Sequence, residues 1–247
     1  MPRVPSLHDA HLDQPDAKRK YNRTHFAEAA SHYDFATKVL SFGGDGVWKR
    51  RLVDALPDEP ATALDLACGT GDVCFLLAKR FSNTAIEGLD LTREMLDIAE
   101  QRNDFGDRVR FLQGDICNLP QANDSEELVT GSYALRNAPD LMLALQEINR
   151  VLKPGGVAAF LDFSKSPSRT SQKIQYGLLR FWGGLWGLLL HGNPSVHGYI
   201  AASLRSYPDR QQLEDYFKTA GFEPISSRLF YGGMTELTLL RKIGPQK

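Results

Sequence analysis

Three aspartates, Asp65, Asp90 and Asp115, recur 25 residues apart, and the interval between the first two opens with a glycine turn, "LDLACGTGD", Leu64 to Asp72. Carboxylates at such intervals suit hydrogen bonding to the hydroxyl, amino or ammonium groups of a bound molecule. Glycines, lacking a Cβ, let the backbone approach it closely. The turn does not suit a phosphate. A dinucleotide fingerprint requires G-x-G-x-x-G, whose third glycine lets helix pack on strand, and Cys74 stands in that place. A Walker loop requires G-x-x-x-x-G-K-[ST], and no lysine follows Gly71 at that spacing.

What is left is a ligand with an amino-acid end and a nucleoside but no phosphate, and S-adenosyl-L-methionine is one. Gly69 and Gly71 would bring the turn against it, and Asp65 could orient its ammonium through water or a loop amide. Asp90, with Leu91 beside it, could accept both ribose hydroxyl protons. Asp115 could accept a hydrogen bond from the adenine amino group, with Ile116 on the adenine face. An aspartate after a strand also serves as a helix N-cap or turn residue, and Asp90 suits the ribose of NAD equally. An NAD-dependent oxidoreductase therefore stays open, with Cys74 and the lack of a second substrate domain against it.

The elements that must position these residues alternate. "ATALDLACG" reads as a buried strand and "DVCFLLAKRF" as the helix leaving it; "AIEGLDLT" is a second strand, and a helix over Arg93 to Arg102 follows with Thr92 as its N-cap. "RVRFLQGDI", "ELVTGSYAL" and "GVAAFLDFS" give three more strands, the helix "DLMLALQEINRVL" stopping before the turn "KPGG". Such alternation predicts an α/β fold: a doubly wound, mostly parallel seven-stranded sheet of Rossmann-like type, with ligands at the strand carboxyl ends. Residues 21–60 read as an N-terminal helical cap, with Phe26, Tyr33, Val39, Leu40, Trp48, Leu52 and Val53 at helical spacing around "SFGGDG". After Ser164 the alternation breaks into an apolar, glycine-rich insertion over 166–207, "YGLLRFWGGLWGLLL" at its centre. A helix and a C-terminal antiparallel strand pair around "YGG" complete a single domain of residues 21–247.

Composition bounds the partners. Twenty-nine Lys and Arg against 30 Asp and Glu leave a net charge of -1, so no basic field points to nucleic acid. The three cysteines form neither a CxxC pair nor a cluster with histidines, so no metal site or disulfide framework is expected, and a reducing cytoplasm is the simplest home. Residues 1–20, with three prolines and no apolar segment, read as a flexible tail rather than a signal or transit peptide. The insertion is too short and too interrupted to span a bilayer. It could hold an isoprenoid tail, touch a membrane peripherally, or form a core or homodimer contact.

From about Phe26 to Lys242 the sequence resembles the class I S-adenosylmethionine-dependent methyltransferases, and more closely the ubiquinone and menaquinone biosynthesis C-methyltransferase family. The marks are "HYDFATKVLSFGGDGVWKRRLV", "LDLACGTGD", "GLDLTREML", "GDICNLP", "SYALRNAPD" and "EINRVLKPGG". The glycine turn and "VLKPGG" speak to fold and cofactor, whereas "YD…LSFG…WK" and "LRN.PD" are particular to the quinone family. The resemblance implies that Thr70, Asp90, Asp115 and Ser132 contact the cofactor, with Gly69 and Gly71 forming the turn. Phe35, Ala36 and Thr37 depart from the family's usual Met-Asn after the Tyr-Asp pair.

The implied reaction is methylation of a ring carbon on a reduced, prenylated quinol, a naphthoquinol or a benzoquinol. The sulfonium methyl is already activated, so the protein must align donor and ring carbon and keep water out. The ring carbon is most nucleophilic when a neighbouring hydroxyl nears its phenolate form, and it must later lose a proton. Arg136 could stabilise the phenolate or orient a water, unless an aspartate holds it for structure; Asn137 could fix the other oxygen. Tyr33 and Asp34 could close over the ring. His32, His197, Tyr199 and Tyr207 are secondary candidates. Another small aromatic or lipid substrate, or a non-catalytic S-adenosylmethionine-binding subunit, are the alternatives.

Overall fold

The chain enters through α1 (Pro15–Ala29), where Pro15 occupies a first-turn position whose N–H a helix cannot use. The computed structural model describes residues 11–41, 43–191 and 199–244. Residues 15–20, read from sequence as tail, are therefore helical, and Lys18 within them is buried; the rest of the expected tail up to Ala10 lies outside the described residues. Helices α2 (Tyr33–Leu40) and α3 (Asp45–Asp54) complete the cap, Trp48, Leu52 and Val53 forming the buried face of α3.

The expected alternation follows. Strand β1 (Thr62–Leu66) leads through the glycine turn into α4 (Asp72–Arg80), β2 (Ala85–Asp90) into α5 (Arg93–Gln101), and β3 (Val109–Gln113) is followed by β4 (Glu126–Ser132). Thr92 holds the N-cap position of α5, but its side chain makes no capping bond there. The fourth strand is shorter than its sequence suggests: Tyr133 turns into the left-handed region at φ 61°, and α6 (Ala134–Asn137) begins at once. Helix α7 (Leu141–Val151), capped by the Asp140 carboxylate on the Leu143 N–H, runs directly into β5 (Leu152–Phe163), so "KPGG" lies inside a strand with a register shift against β4. The apolar insertion forms α8 (Arg169–His191) and α9 (Tyr199–Ser206), with His197 outside the described residues. Helix α10 (Arg210–Thr219) starts with a reciprocal capping box between Asp209 and Gln212. Strands β6 (Phe222–Phe230) and β7 (Thr235–Lys242) end the fold.

The sheet order is β3-β2-β1-β4-β5-β7-β6, parallel through β5, with β7 antiparallel to β5 and β6 to β7. Both faces are buried, which is why the central strands read as continuous apolar runs rather than alternating ones. Along β1, Leu64 and Leu66 pack towards Leu145 and Ile148 of α7, while Ala63 faces the side of Leu77 and Leu96. The strand order reverses between β1 and β4, leaving a crevice at their carboxyl ends where such sheets bind ligands.

Gly71 fixes the geometry of that crevice. It has φ +88°, and a Cβ there would stand 2.8 Å from Phe75 Cζ and 3.1 Å from Phe111 Cζ. Backbone strain and ring overpacking act together, so Gly71→Ala is expected to lose about 2–4 kcal/mol of stability in urea denaturation.

Candidate functional site

The carboxyl ends of β1, β2, β3 and β4 open on a cavity at the point where the strand order reverses, the usual place for a ligand in such a sheet. Its walls include Gly69, Asp90, Leu91, Asp115, Ile116 and Ser132, six of the nine residues expected at a cofactor. Ala67, Gly69 and Gly71 all have positive φ, at 49°, 55° and 88°, so the turn curls sharply and brings backbone to the cavity wall.

Asp90 organises that turn. Its carboxylate accepts the Gly69 N–H at 2.9 Å and the Thr92 N–H at 2.9 Å. The same carboxylate lines the cavity, where its oxygens are suited to accept from a ribose diol. Burial pushes its proton affinity up, and the backbone N–H donors of Thr92 and Gly69 pull it back. Asp115 accepts the Cys117 N–H at 2.9 Å and is bridged by Arg19 of α1. Ile116, Leu91 and Met95 give the apolar surface between these carboxylates, suited to a flat base. A nucleoside thus fits the acceptors and the apolar surface present.

Asp65 is placed differently from its expected role. In the register of the sheet it pairs with Gly88, two residues short of Asp90, and so lies about 6–7 Å below the rim. It is 1% exposed and accepts hydrogen bonds from Thr130 Oγ1 at 2.7 Å and Cys74 Sγ at 3.5 Å. Burial raises it from 3.8 to about 6, against the pull of those bonds. Between these values the folded protein keeps a proton that the unfolded chain has released, so the stability tied to this group is full below the lower value and lost as pH rises through the higher. Asp65→Asn cannot ionise and should gain stability relative to the native chain between pH values of about 4 and 7, by up to about 3 kcal/mol, in paired denaturation curves.

The cap closes the cavity from outside. The Tyr33 ring lies over the turn, 3.8 Å from where a Gly69 Cβ would stand, and burial pushes its hydroxyl up to about 12. Asp34 and Thr70 do not line the cavity: Thr70 donates to Asp34 at 2.7 Å, and Arg102 bridges Asp34 at 3.0 Å and Asp72 at 2.7 Å. Lys49 adds pairs with Asp45 at 2.7 Å and Asp72 at 3.1 Å. Burial works against the Lys49 charge, but Asp45 and then Asp72 outweigh it and hold the ammonium above its ordinary range. This network ties α2 and α3 to the start of α4 and so fixes Tyr33 over the turn.

Arg136 and Asn137, neighbours in sequence, face different ways. Arg136 is 4% exposed and turned from the cavity; it pairs with Asp162 at 3.4 Å, donates to Ser203, and lies over the Phe163 and Tyr199 rings at 5.3 and 5.8 Å. Its contacts are those of an arginine held by an aspartate. Asn137 lines the cavity, its Nδ2 donating to Tyr133 O at 2.8 Å. The Tyr199 hydroxyl sits between Asn137 Oδ1 at 2.9 Å and Asn22 Oδ1 at 2.6 Å, with one proton for two carbonyls. Tyr207 is buried against the core, and His32 is exposed in the cap.

Asn22 and Phe26 are cavity residues on α1 that sequence reasoning did not assign. Tyr21, His25, Phe26 and Asn22 share one helical turn, a polar and aromatic face that could have signalled a site. Tyr21 stacks on Tyr199 at 5.4 Å and Phe26 meets Tyr33 edge-on at 6.2 Å, so α1, α2 and α9 form one aromatic lid.

Among curated relatives, the 2-phytyl-1,4-naphtoquinone methyltransferase of Thermosynechococcus vestitus is 36% identical over 219 residues, 88% of this chain and 97% of that protein. The demethylmenaquinone methyltransferase of Staphylococcus haemolyticus is 30% identical over 230 residues, 92% of this chain and 96% of that protein. A solved structure similar in fold is geranyl diphosphate C-methyltransferase from Streptomyces coelicolor, in complex with Mg2+, geranyl diphosphate and S-adenosyl-L-homocysteine. It has a TM-score of 0.60 at 16% identity, over 81% of this chain and 79% of that one. A family model matches residues 14–239, almost the whole of the cap, cavity and sheet just described, and it agrees with a cavity shaped for S-adenosyl-L-methionine: the chain belongs to the ubiE/COQ5 methyltransferase family.

Proposed function

We propose that this enzyme transfers the methyl group of S-adenosyl-L-methionine to a ring carbon of a prenylated quinol. The observation that carries the reading is one cavity lined both by Asp90 and Asp115 and by the rings of Phe26, Tyr33 and Tyr133 and the Asn137 side chain. The near full-length likeness to two proteins named for methylation of quinone rings supports the substrate class.

The bound cofactor supplies an activated methyl on a sulfonium. Asp90 holds the ribose, Asp115 and Ile116 the adenine, and Leu91, Gly69 and Ser132 complete the wall. Thr70, Gly71 and Asp65 act from behind, shaping the turn rather than touching the ligand. Tyr33 and Phe26 flatten the ring against the donor and exclude water. The Asn22, Asn137 and Tyr199 group, short of one donor, accepts a hydrogen bond from a quinol hydroxyl. An oxidised ring has only carbonyls and leaves that acceptor unmatched, so the site favours the reduced substrate. That hydrogen bond also shifts electron density towards the ring oxygen, raising the nucleophilicity of the neighbouring carbon, which releases its own proton to water once the methyl is attached.

Asn137→Ala is expected to lower turnover roughly 100-fold while leaving S-adenosyl-L-homocysteine affinity within about twofold, because the amide serves the ring and not the nucleoside. Turnover with short-tailed quinols and cofactor binding by calorimetry check both halves. Offering demethylnaphthoquinol and demethylbenzoquinol in competition names the preferred ring. Methylation of neither, with cofactor still bound, would move the reading to another aromatic or lipid substrate.

A further inference from the structure

Helix α8 presents an apolar face that the cavity does not use. Ile174, Leu178, Phe181 and Leu185 are exposed, Phe181 to 72% and Ile174 to 61%. Their spacing alternates four and three residues, which aligns them along one side of the helix. The other side is occupied: Gln175 donates to Ser164 O at 2.7 Å, and Tyr176 and Leu179 pack on the core. Arg169, Lys173 and Arg180 are exposed and, at about 100° per residue, gather along one flank of the stripe. The helix contains no aspartate or glutamate.

We propose that this face of α8 docks on the surface of an anionic lipid bilayer. A row of large apolar side chains bordered by cations is the pattern of a helix lying in a membrane interface, apolar face in the acyl boundary and cations among the headgroups. No helix among the described residues is long and apolar enough to cross a membrane, so α8 would lie on the bilayer. A second copy is a poorer occupant, since the cations lie roughly 100° round the helix from the stripe and would meet no acid on a facing α8, whereas anionic headgroups reach them. Helix α8 packs beside α2, which carries Tyr33 to the cavity, so the docked surface adjoins the site. The inference rests on the reading of the substrate as a prenylated quinol for its purpose but not for its geometry.

The test is co-sedimentation of the full chain with vesicles of phosphatidylcholine, with and without phosphatidylglycerol, in the absence of substrate. Binding is expected on anionic vesicles, roughly 100-fold weaker on neutral ones, and weakened when salt is raised from about 0.1 to about 1 M. Leu178→Glu with Phe181→Glu should abolish binding while leaving the thermal midpoint and turnover of a water-soluble quinol unchanged; Lys173→Glu with Arg180→Glu should reproduce the neutral-vesicle result. Failure of the native chain to bind anionic vesicles, or binding by the double glutamate variant, would overturn the proposal. So would a change of that variant from dimer to monomer in sedimentation velocity, which would make the face an interface between copies. Vesicle binding without any quinol turnover would sink the substrate reading and leave the docking surface standing.

Discussion

Replacing Arg136 with leucine is expected to cost about 3–5 kcal/mol of folding stability, because it strands a buried carboxylate. Asp162 is 6% exposed, and burial already pushes its proton affinity up against the opposing pull of the Arg136 guanidinium. Without that guanidinium, the backbone N–H groups of Arg136 and Phe163 and the more distant Lys18 ammonium are what offset the charge. The Ser203 hydroxyl loses the Arg136 donor while keeping its own bond to Tyr199 O, and the packing against Phe163 and Tyr199 goes too. Adding Asp162→Asn should restore part of the loss, since it removes the charge that needs neutralising, while its one amide oxygen keeps only one of the two N–H groups, which bind different carboxylate oxygens. Urea denaturation of the single and double variants measures this directly. If Arg136 instead reached the ring, the single variant would fold at nearly native stability and fail only in turnover.

Asp90→Ala is expected to weaken S-adenosyl-L-homocysteine binding at least 100-fold. One carboxylate does two jobs: it takes the Gly69 and Thr92 N–H groups that hold the glycine turn, and it keeps acceptor positions for the ribose. Losing charge-assisted bonds of this kind costs about 1.5–3 kcal/mol each, and the stranded N–H groups add about 1–3 kcal/mol apiece to the destabilisation. Asp90→Asn, whose one amide oxygen can accept from either Gly69 or Thr92 but not both, should recover part of the stability and little of the affinity. Calorimetric titration together with thermal denaturation separates the two effects. Asp65→Ala, by contrast, should disturb stability with little direct change in ribose recognition.

Much of the fold was legible because apolar runs bounded by glycine and aspartate have few solutions other than buried parallel strands. The same logic located Asp90, Asp115, Ile116 and Ser132 at one rim. It misplaced Asp65 because equal spacing in sequence is not equal height in a sheet: the loops between strands differ, and register puts Asp65 beside Gly88. Arg136 and Asn137 show the second limit. Adjacent residues on a short helix after a left-handed Tyr133 point apart, and sequence does not say which one meets the cavity. Asn22 escaped because its role depends on α1 folding back over helices far along the chain, a tertiary contact made through Asn137 of α6 and Tyr199 of α9.

The reaction proposed for the cavity joins an S-adenosyl-L-methionine methyl to a quinol carbon. The most direct measurement incubates the protein with cofactor bearing a trideuterated methyl group and a chemically reduced, short-tailed demethylquinol, then reads the extracted ring by mass spectrometry and NMR. The account predicts three deuteriums on a ring carbon, with none acquired when the ring is offered oxidised. Label on a ring oxygen, or an unlabelled ring beside a bound cofactor, would contradict it.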